Sequence, residues 1–139
     1  MAERLEKEMS AYLMDVDYAT KEDILRDYFT AFSNKDVDTL ETMFSKDIEL
    51  TDSFGHWSGI EDVIGANKTI FQNCLRITAI IDKIIVDGDS ACAIIDIEIM
   101  TEGSDPTNDF RENHQTLKVI DYFVFDNANK IKKISAYKQ

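Results

Sequence analysis

The chain has 139 residues, enough for one domain with its own core, and carries 27 acidic against 15 basic residues for a formal net charge of −12. This acidic balance argues against binding to nucleic acid or to an anionic membrane surface, because both contacts need basic patches. No stretch approaches the roughly 18 consecutive apolar residues of a membrane-spanning helix.

The cysteines and the N-terminus indicate the compartment. Cys74 and Cys92 each lie in an apolar segment, which favours two buried thiols over a disulfide bridge. Residues Met1 to Ser10 are charged throughout and lack the apolar run of a signal peptide. We therefore expect a cytoplasmic protein.

Helical periodicity dominates the first part of the chain. Apolar residues recur at helical spacing within residues 1–18 and predict an amphipathic N-terminal helix. Thr20 is a good N-cap for a second helix, whose apolar stripe includes Tyr28. Asp36 caps a third, short helix, and a turn is expected at residues 45–47.

A strand and a further helix follow. Residues 48–54 alternate as a strand and place Asp52 on the apolar face, with Phe54 on the same side. Gly55 then supplies a bend. Ser58 and the glutamate three residues later form a capping box, which predicts a helix with Ser58 as its N-cap.

The rest of the chain, from Leu75 onward, is rich in strands. The apolar phase slips after Asp82 and Lys83, as a bulge or bend in a long strand would cause, and residues 87–89 predict a hairpin turn. A polar loop at residues 103–113 precedes another strand, and residues 131–138 form the last one. This order predicts an α+β domain with a strongly curved, mostly antiparallel sheet closed by helices.

The strand from Leu117 to Phe125 contains an acid among apolar residues. Alternation puts Asp121 on the same face as Val119 and Phe123. An ionised carboxylate there is costly unless it is paired, hydrogen-bonded or protonated. Asp121 is therefore either a structural acid with a dedicated partner or an acid with a raised pKa, as catalytic sites use.

Tyr28, Asp52 and Asp121 form one pattern, because each lies where the periodicity calls for an apolar residue. Such departures tend to mark functional or strained sites. The chemistry that uses this set is proton transfer next to a carbonyl: a carboxylate removes a carbon-bound proton, and two neutral donors stabilise the oxyanion. For Tyr28, an ordinary core aromatic is the alternative.

The chain resembles the SnoaL-like, ketosteroid-isomerase-like branch of the nuclear-transport-factor-2-like superfamily. The resemblance assigns residues 19–139 to one domain and leaves the N-terminal helix outside it. It implies a cone-shaped shell in which the curved sheet and three helices enclose a pocket, often as a homodimer. It rests on residues Arg26 to Tyr28, Asp36 to Asp38, Phe44, Asp47, Leu50 to Asp52, Gly55, Ser58, Gly59, Ile120 to Phe123, Lys130 and Ile131.

The resemblance also implies roles for the three polar residues. In the steroid isomerases, the aspartate that matches Asp52 is the base, and the residues that match Tyr28 and Asp121 donate hydrogen bonds to the oxyanion. The logic of an acid kept neutral by apolar surroundings comes with that family. Five further residues are expected to bind substrate: Phe54, His56, Trp57, Val119 and Phe123.

The leading hypothesis is a pocket enzyme that catalyses proton transfer next to the carbonyl of a small apolar compound. No cofactor is expected, and the two histidines and scattered acids show no metal-ligand spacing. Two alternatives stay open. One is a non-catalytic ligand-binding or dimerisation module of the same fold, and the other is a SnoaL-type polyketide cyclase with one aspartate as acid and base.

Two further expectations concern His56 and the outer surface. A dyad of His56 with Asp52 is conceivable, although His56 as a simple turn residue explains its position equally well. A homodimer is expected through the outer sheet face that contains Ile80, Ile94 and Met100.

Overall fold

The computed structural model describes residues 20–102 and 114–139. The predicted N-terminal helix at residues 1–18 and the predicted polar loop at 103–113 lie outside the described residues. Within them the chain forms three helices, α1 (Lys21–Ser33), α2 (Val37–Met43) and α3 (Ile60–Gln72). The strands are β1 (Phe44–Asp52), β2 (Gly55–Ser58), β3 (Arg76–Asp87), β4 (Ser90–Met100), β5 (His114–Phe125) and β6 (Ile131–Lys138).

The six strands form one open, mixed sheet in the order β2-β1-β6-β5-β4-β3. Only β1 and β6 are parallel, and every other neighbouring pair is antiparallel. Helix α1 packs on β3, and α3 packs on β1, so the helices cover one face of the sheet. The arrangement confirms the predicted α+β class with a mostly antiparallel sheet. In the described ranges, no helix combines the length and the apolar character needed to cross a bilayer.

Two of the predicted helix caps are confirmed. The Thr20 hydroxyl accepts a hydrogen bond from the backbone N–H of Asp23 at 3.2 Å, at the start of α1. The Asp36 carboxylate accepts from the backbone N–H of Thr39 at 3.2 Å and from its hydroxyl at 2.6 Å, at the start of α2. Each cap satisfies a backbone donor that has no partner inside the helix.

The predicted capping box at Ser58 is wrong. Ser58 is the last residue of β2 and pairs with Glu49, and Gly59 is the residue that precedes α3. No side chain caps this helix. The backbone N–H of Gly59 donates to the carbonyl of Ile48 at 2.8 Å, so sheet pairing extends one residue too far for Ser58 to cap. Gly59 then turns the chain with a φ of +89°, which glycine adopts without strain.

The turn expected at residues 45–47 is also wrong, because β1 begins at Phe44 directly after α2. Phe44 pairs with Ile131 of β6, and the register then shifts before Glu49 pairs with Lys133. The start of β1 is therefore an irregular parallel strand. Its polar residues 45–47 resemble a turn in sequence, but Phe44 and Glu49 on either side of them pair with β6.

The two predicted irregularities in the second half are confirmed. The register between β3 and β4 shifts between Ile81 and Lys83, where the apolar phase of the sequence slips. Such a bulge bends and twists the strand, which helps the sheet to curve. The β3–β4 turn consists of Gly88 and Asp89, with Gly88 at a φ of +60°.

The core lies between the inner face of the sheet and the helices. Phe123 of β5 is fully buried, and its ring meets the rings of Tyr28 and Phe29 of α1 edge to face, with centroids 5.4 and 5.9 Å apart. Phe54, expected on the buried face of a strand, is instead 90% exposed. The reason is that β1 ends at Asp52, so the alternation that would have buried Phe54 stops before it.

We expect Phe123→Ala to lower the free energy of unfolding by about 3–5 kcal/mol, because it removes a large ring from a closed core. The measurement is urea denaturation followed by circular dichroism. The matched control is Phe54→Ala, which should change the same quantity by less than about 0.5 kcal/mol. Equal losses in the two variants would contradict the burial described here.

Candidate active site

A cavity of about 220 Å³ lies between the inner face of the sheet and helices α1 and α3. Most of its wall is apolar and comes from both helices and from all strands except β2: Phe32, Leu50, Ile70, Ile77, Ile97, Ile99, Leu117, Val119, Ile134 and Ala136. A smaller set of lining side chains is polar: Tyr28, Asp52, Ser53, Asn67, Asp121 and Lys138. Phe54 also borders the cavity, at its exposed rim.

Asp121 is the most deeply buried acid of the described residues, with 6% of its surface exposed. No hydrogen bond from the described residues reaches its carboxyl group. Burial raises the pKa of this carboxyl to about 7, and the negative charge of Asp52 adds to the shift. Near neutral pH, Asp121 can therefore hold a proton that an exposed carboxyl would have lost.

Tyr28 lies in the third turn of α1 and is 5% exposed. Its ring packs among Phe29, Phe44 and Phe123 at centroid distances of 5.0, 6.2 and 5.4 Å. Burial, and then the charge of Asp121, hold the pKa of this phenol above its usual range. Tyr28 thus stays a neutral hydrogen-bond donor across the physiological pH range.

Asp52 is half-buried at the end of β1. Its Oδ1 accepts hydrogen bonds from the backbone N–H groups of Phe54 at 2.7 Å and Gly55 at 3.1 Å. These bonds hold the turn into β2. Among the described residues, none donates to Oδ2, which leaves that oxygen available for a ligand.

The sheet register explains how Asp52 and Asp121 come to share one cavity. Asp121 of β5 pairs with Ala136 of β6, and Thr51 of β1 pairs with Ser135. One residue further, Asp52 lies beside Ala136, so the two acids flank a small side chain on the same face. Two strand spacings separate their backbones by roughly 10 Å. The methyl group of Ala136 leaves room between the two carboxyl groups.

His56 lies on the other side of the sheet from the cavity. It is opposite Thr51 in the β1–β2 pairing, and its ring nitrogens lie 2.7 Å from the Thr51 hydroxyl and 3.2 Å from the Ser58 hydroxyl. Alternation along the strands puts these residues on the outer face, while Asp52 points inward. The conceivable His56–Asp52 dyad is therefore not formed, and His56 does not line the cavity.

The other residues predicted to bind substrate divide into two groups. Val119 and Phe54 line the cavity, one in its wall and one at its rim. Trp57 and Phe123 do not. Trp57 packs against the core near Gly55, and Phe123 lies behind the wall, where the rings of α1 fill the space around it.

Asn67 is the cavity residue that the sequence interpretation missed. It lies in α3, is 4% exposed and lines the cavity together with Ile70. The signal was present in the sequence: Val63, Asn67 and Phe71 are spaced four residues apart and share one helix face. Asn67 is thus a fourth polar residue on an otherwise apolar face.

A family model for the SnoaL-like domain matches residues 25–134. This chain belongs to the SnoaL-like domain family. The match begins within α1 and ends within β6, so it includes all the other helices and strands of this SnoaL-like domain completely. It also confirms the resemblance that the sequence motifs indicate. No curated protein matches the chain.

Several solved structures share the fold of this SnoaL-like domain. A proposed SnoaL-like polyketide cyclase from Shewanella denitrificans OS-217 superposes with a TM-score of 0.74 at 13% identity, over 87% of this chain and 91% of that one. A hypothetical protein with a ketosteroid isomerase-like fold from Catenulispora acidiphila DSM 44928, in complex with trimethylamine, gives 0.70 at 17% identity, over 82% and 83%. A proposed polyketide cyclase from Sinorhizobium meliloti gives 0.65 at 21% identity, over 83% and 94%.

We expect the stability of the domain to depend on the protonation of Asp121. Its folded-state pKa of about 7 lies above the unfolded value near 3.9, so the folded state binds more protons between these two pH values. This contribution to the free energy of unfolding is complete below about pH 4 and is lost as pH rises through 7. At about 1.4 kcal/mol per pKa unit, the loss is on the order of 4 kcal/mol.

The measurement is urea denaturation of the wild type and Asp121→Asn at pH 5 and pH 8. The asparagine cannot ionise, so Asp121→Asn should not lose this contribution as the pH rises. Its free energy of unfolding, relative to that of the wild type, should therefore be higher at pH 8 than at pH 5. Asp82→Asn, which changes an exposed acid on β3, is the matched control and should show no such gain. A stability difference that stays the same at both pH values would show that Asp121 ionises normally.

Proposed function

We propose that this SnoaL-like protein is an enzyme that binds a small, largely apolar carbonyl compound in the cavity and catalyses proton transfer next to the carbonyl. The observation that carries the proposal is the meeting of three groups in one apolar chamber. A neutral phenol from α1, a buried acid of raised pKa from β5 and a half-buried carboxylate from β1 all face the same space.

The cavity limits the size of the ligand. An apolar cavity of about 150 Å³ holds benzene, and pockets for drug-sized ligands start near 300 Å³. At about 220 Å³, this cavity suits a compound of one or two rings. Its apolar wall favours a carbon skeleton, and its few polar groups would fix the orientation of that skeleton.

The proposed reaction is an isomerisation that balances without a cofactor. Oδ2 of Asp52 takes a proton from the carbon next to the carbonyl, and the C–H electron pair moves to give an enolate. Tyr28 and protonated Asp121 donate hydrogen bonds to the enolate oxygen, where the negative charge develops. The proton then returns from Asp52 to another carbon of the conjugated system. Donors fixed in a water-poor site stabilise such a charge more strongly than water does.

A second candidate is cyclisation of a polyketide-like carbonyl compound, with Asp121 as the only acid and base. One observation favours it: a general acid–base catalyst works best when its pKa lies near the operating pH, and that of Asp121 is about 7. Two of the similar structures are also proposed polyketide cyclases. In this scheme Asp52 would only hold the β1–β2 turn.

We also propose that the protein is a homodimer built through the outer face of the sheet. Ile80 and Ile85 of β3 expose 46% and 48% of their surface there, and a second copy of the sheet would remove this apolar surface from water. Sedimentation velocity at micromolar concentration should show a dimer that Ile85→Asp weakens. The same change at Phe54, outside this face, should leave the dimer intact, and a monomeric wild type would disprove the proposal.

We expect Asp52→Asn to reduce turnover by roughly 10²- to 10⁴-fold, which is the usual contribution of a general base. Asparagine keeps an oxygen that can accept from Phe54 and Gly55, so the turn should persist while the base is lost. The assay follows hydrogen–deuterium exchange next to the carbonyl of 2-tetralone, and double-bond migration in 3-cyclohexenone, by NMR. Asp82→Asn is the control variant and should retain the wild-type rate.

The pH profile of kcat/KM separates the two candidate reactions. If Asp121 donates as a neutral acid, kcat/KM should fall as pH rises through about 7, and Asp121→Asn should remove that fall. If Asp121 is the only base, kcat/KM should rise through the same pH, and Asp52→Asn should leave it unchanged. Binding of these ketones without exchange would favour the non-catalytic module instead.

A further inference from the structure

Asn67 is buried in the cavity without a hydrogen-bond partner among the described residues. The residue is 4% exposed, and none of the hydrogen bonds between described residues involves its side-chain amide. Buried amides in folded proteins are almost always hydrogen-bonded. Asn67 lines the cavity, so a ligand there can supply a partner for its amide.

Asn67 belongs to a different element from the two residues of the proposed oxyanion site. Tyr28 and Asp121 reach the cavity from α1 and β5, whereas Asn67 reaches it from α3. Ile70 lines the cavity one turn further along α3 and is apolar. Asn67 is therefore the one buried polar group that α3 presents to the cavity.

We propose that Asn67 is a specificity-determining residue that binds a second oxygen group of the ligand. The ligand would be a neutral compound of one or two rings that carries a hydroxyl or carbonyl in addition to the carbonyl bound by Tyr28 and Asp121. The inference rests on the proposed function, because it assigns the first carbonyl to those two residues.

The chemistry of the amide and the charges of the cavity define this ligand class. An asparagine amide both donates and accepts hydrogen bonds, so it can satisfy a hydroxyl completely or donate to a carbonyl. A ligand without such a group would leave the amide unpaired, and sites with unpaired polar groups discriminate strongly against such ligands. The carboxylate of Asp52 disfavours an anion, and the cation of the lining, Lys138, is solvent-exposed at the edge.

The test uses phenols, whose oxygen resembles that of an enolate, with and without a second hydroxyl. The probes are 1-naphthol, 2-naphthol and the naphthalenediols that add one hydroxyl to either of them, and the measurement is Kd by isothermal titration calorimetry. We expect at least one diol to bind the wild type roughly fivefold to tenfold more tightly than its parent naphthol, which is the range of one added hydrogen bond. Asn67→Leu should abolish this gain, so that each diol and its parent naphthol bind with a similar Kd.

Asn73→Leu is the matched control, because Asn73 lies at the end of the same helix, is exposed and bonds to the Thr69 carbonyl at 2.9 Å. In that variant, the favoured diol should still bind more tightly than its parent naphthol. Should Asn67→Leu not fold, the side-chain amide signal of Asn67 in the wild-type ¹⁵N spectrum provides a second measurement. It should shift with the favoured diol and not with the parent naphthol.

The inference is wrong if no diol binds more tightly than its parent, if the gain persists in Asn67→Leu, or if the amide signal does not respond. Failure of the proposed function has a different signature. In that case Tyr28→Phe and Asp121→Asn would leave naphthol affinity unchanged, whereas the diol gain would still depend on Asn67.

Discussion

The carboxyl group of Asp121 is the group on which the site depends. It lies on the inner face of β5 between apolar residues, where ionisation is opposed by the loss of water and by the charge of Asp52. The same β5 face supplies Phe123 and Phe125, both almost completely buried. The burial of these rings offsets the cost of placing an acid among them, since each large side chain contributes about 1.5–3 kcal/mol on burial.

The pairing of the strands turns this acid into part of a site. Because β6 lies between β1 and β5, Asp52 and Asp121 face each other across Ala136, close enough for the charge of Asp52 to raise the pKa of Asp121. Helix α1 then lays Tyr28 against Phe123, so the phenol reaches the same space. No feature of this arrangement is specific for a steroid ligand. The chamber is small, and the two acids and one phenol would serve any carbonyl compound that fits it.

Much of the fold could be read from local patterns. The caps at Thr20 and Asp36, the bulge after Ile81 and the turn at Gly88 depend on neighbours within a few residues, so the sequence is informative about them. The errors concern residues whose state depends on a distant partner. Ser58 does not cap α3 because β1 pairs with it, and residues 45–47 lie in a strand whose flanking residues, Phe44 and Glu49, pair with β6.

The candidate site also combines features that local patterns predict with features that depend on distant residues. Tyr28, Asp52 and Asp121 could be recognised from the sequence as breaks in apolar faces, because the periodicity of helices and strands follows from backbone geometry alone. That they share a cavity with Asn67, that Phe54 is at its rim, and that His56 and Trp57 are outside it depends on how distant segments pack together. Periodicity indicates the face on which a side chain lies, but strand order and register determine which residues lie opposite that face.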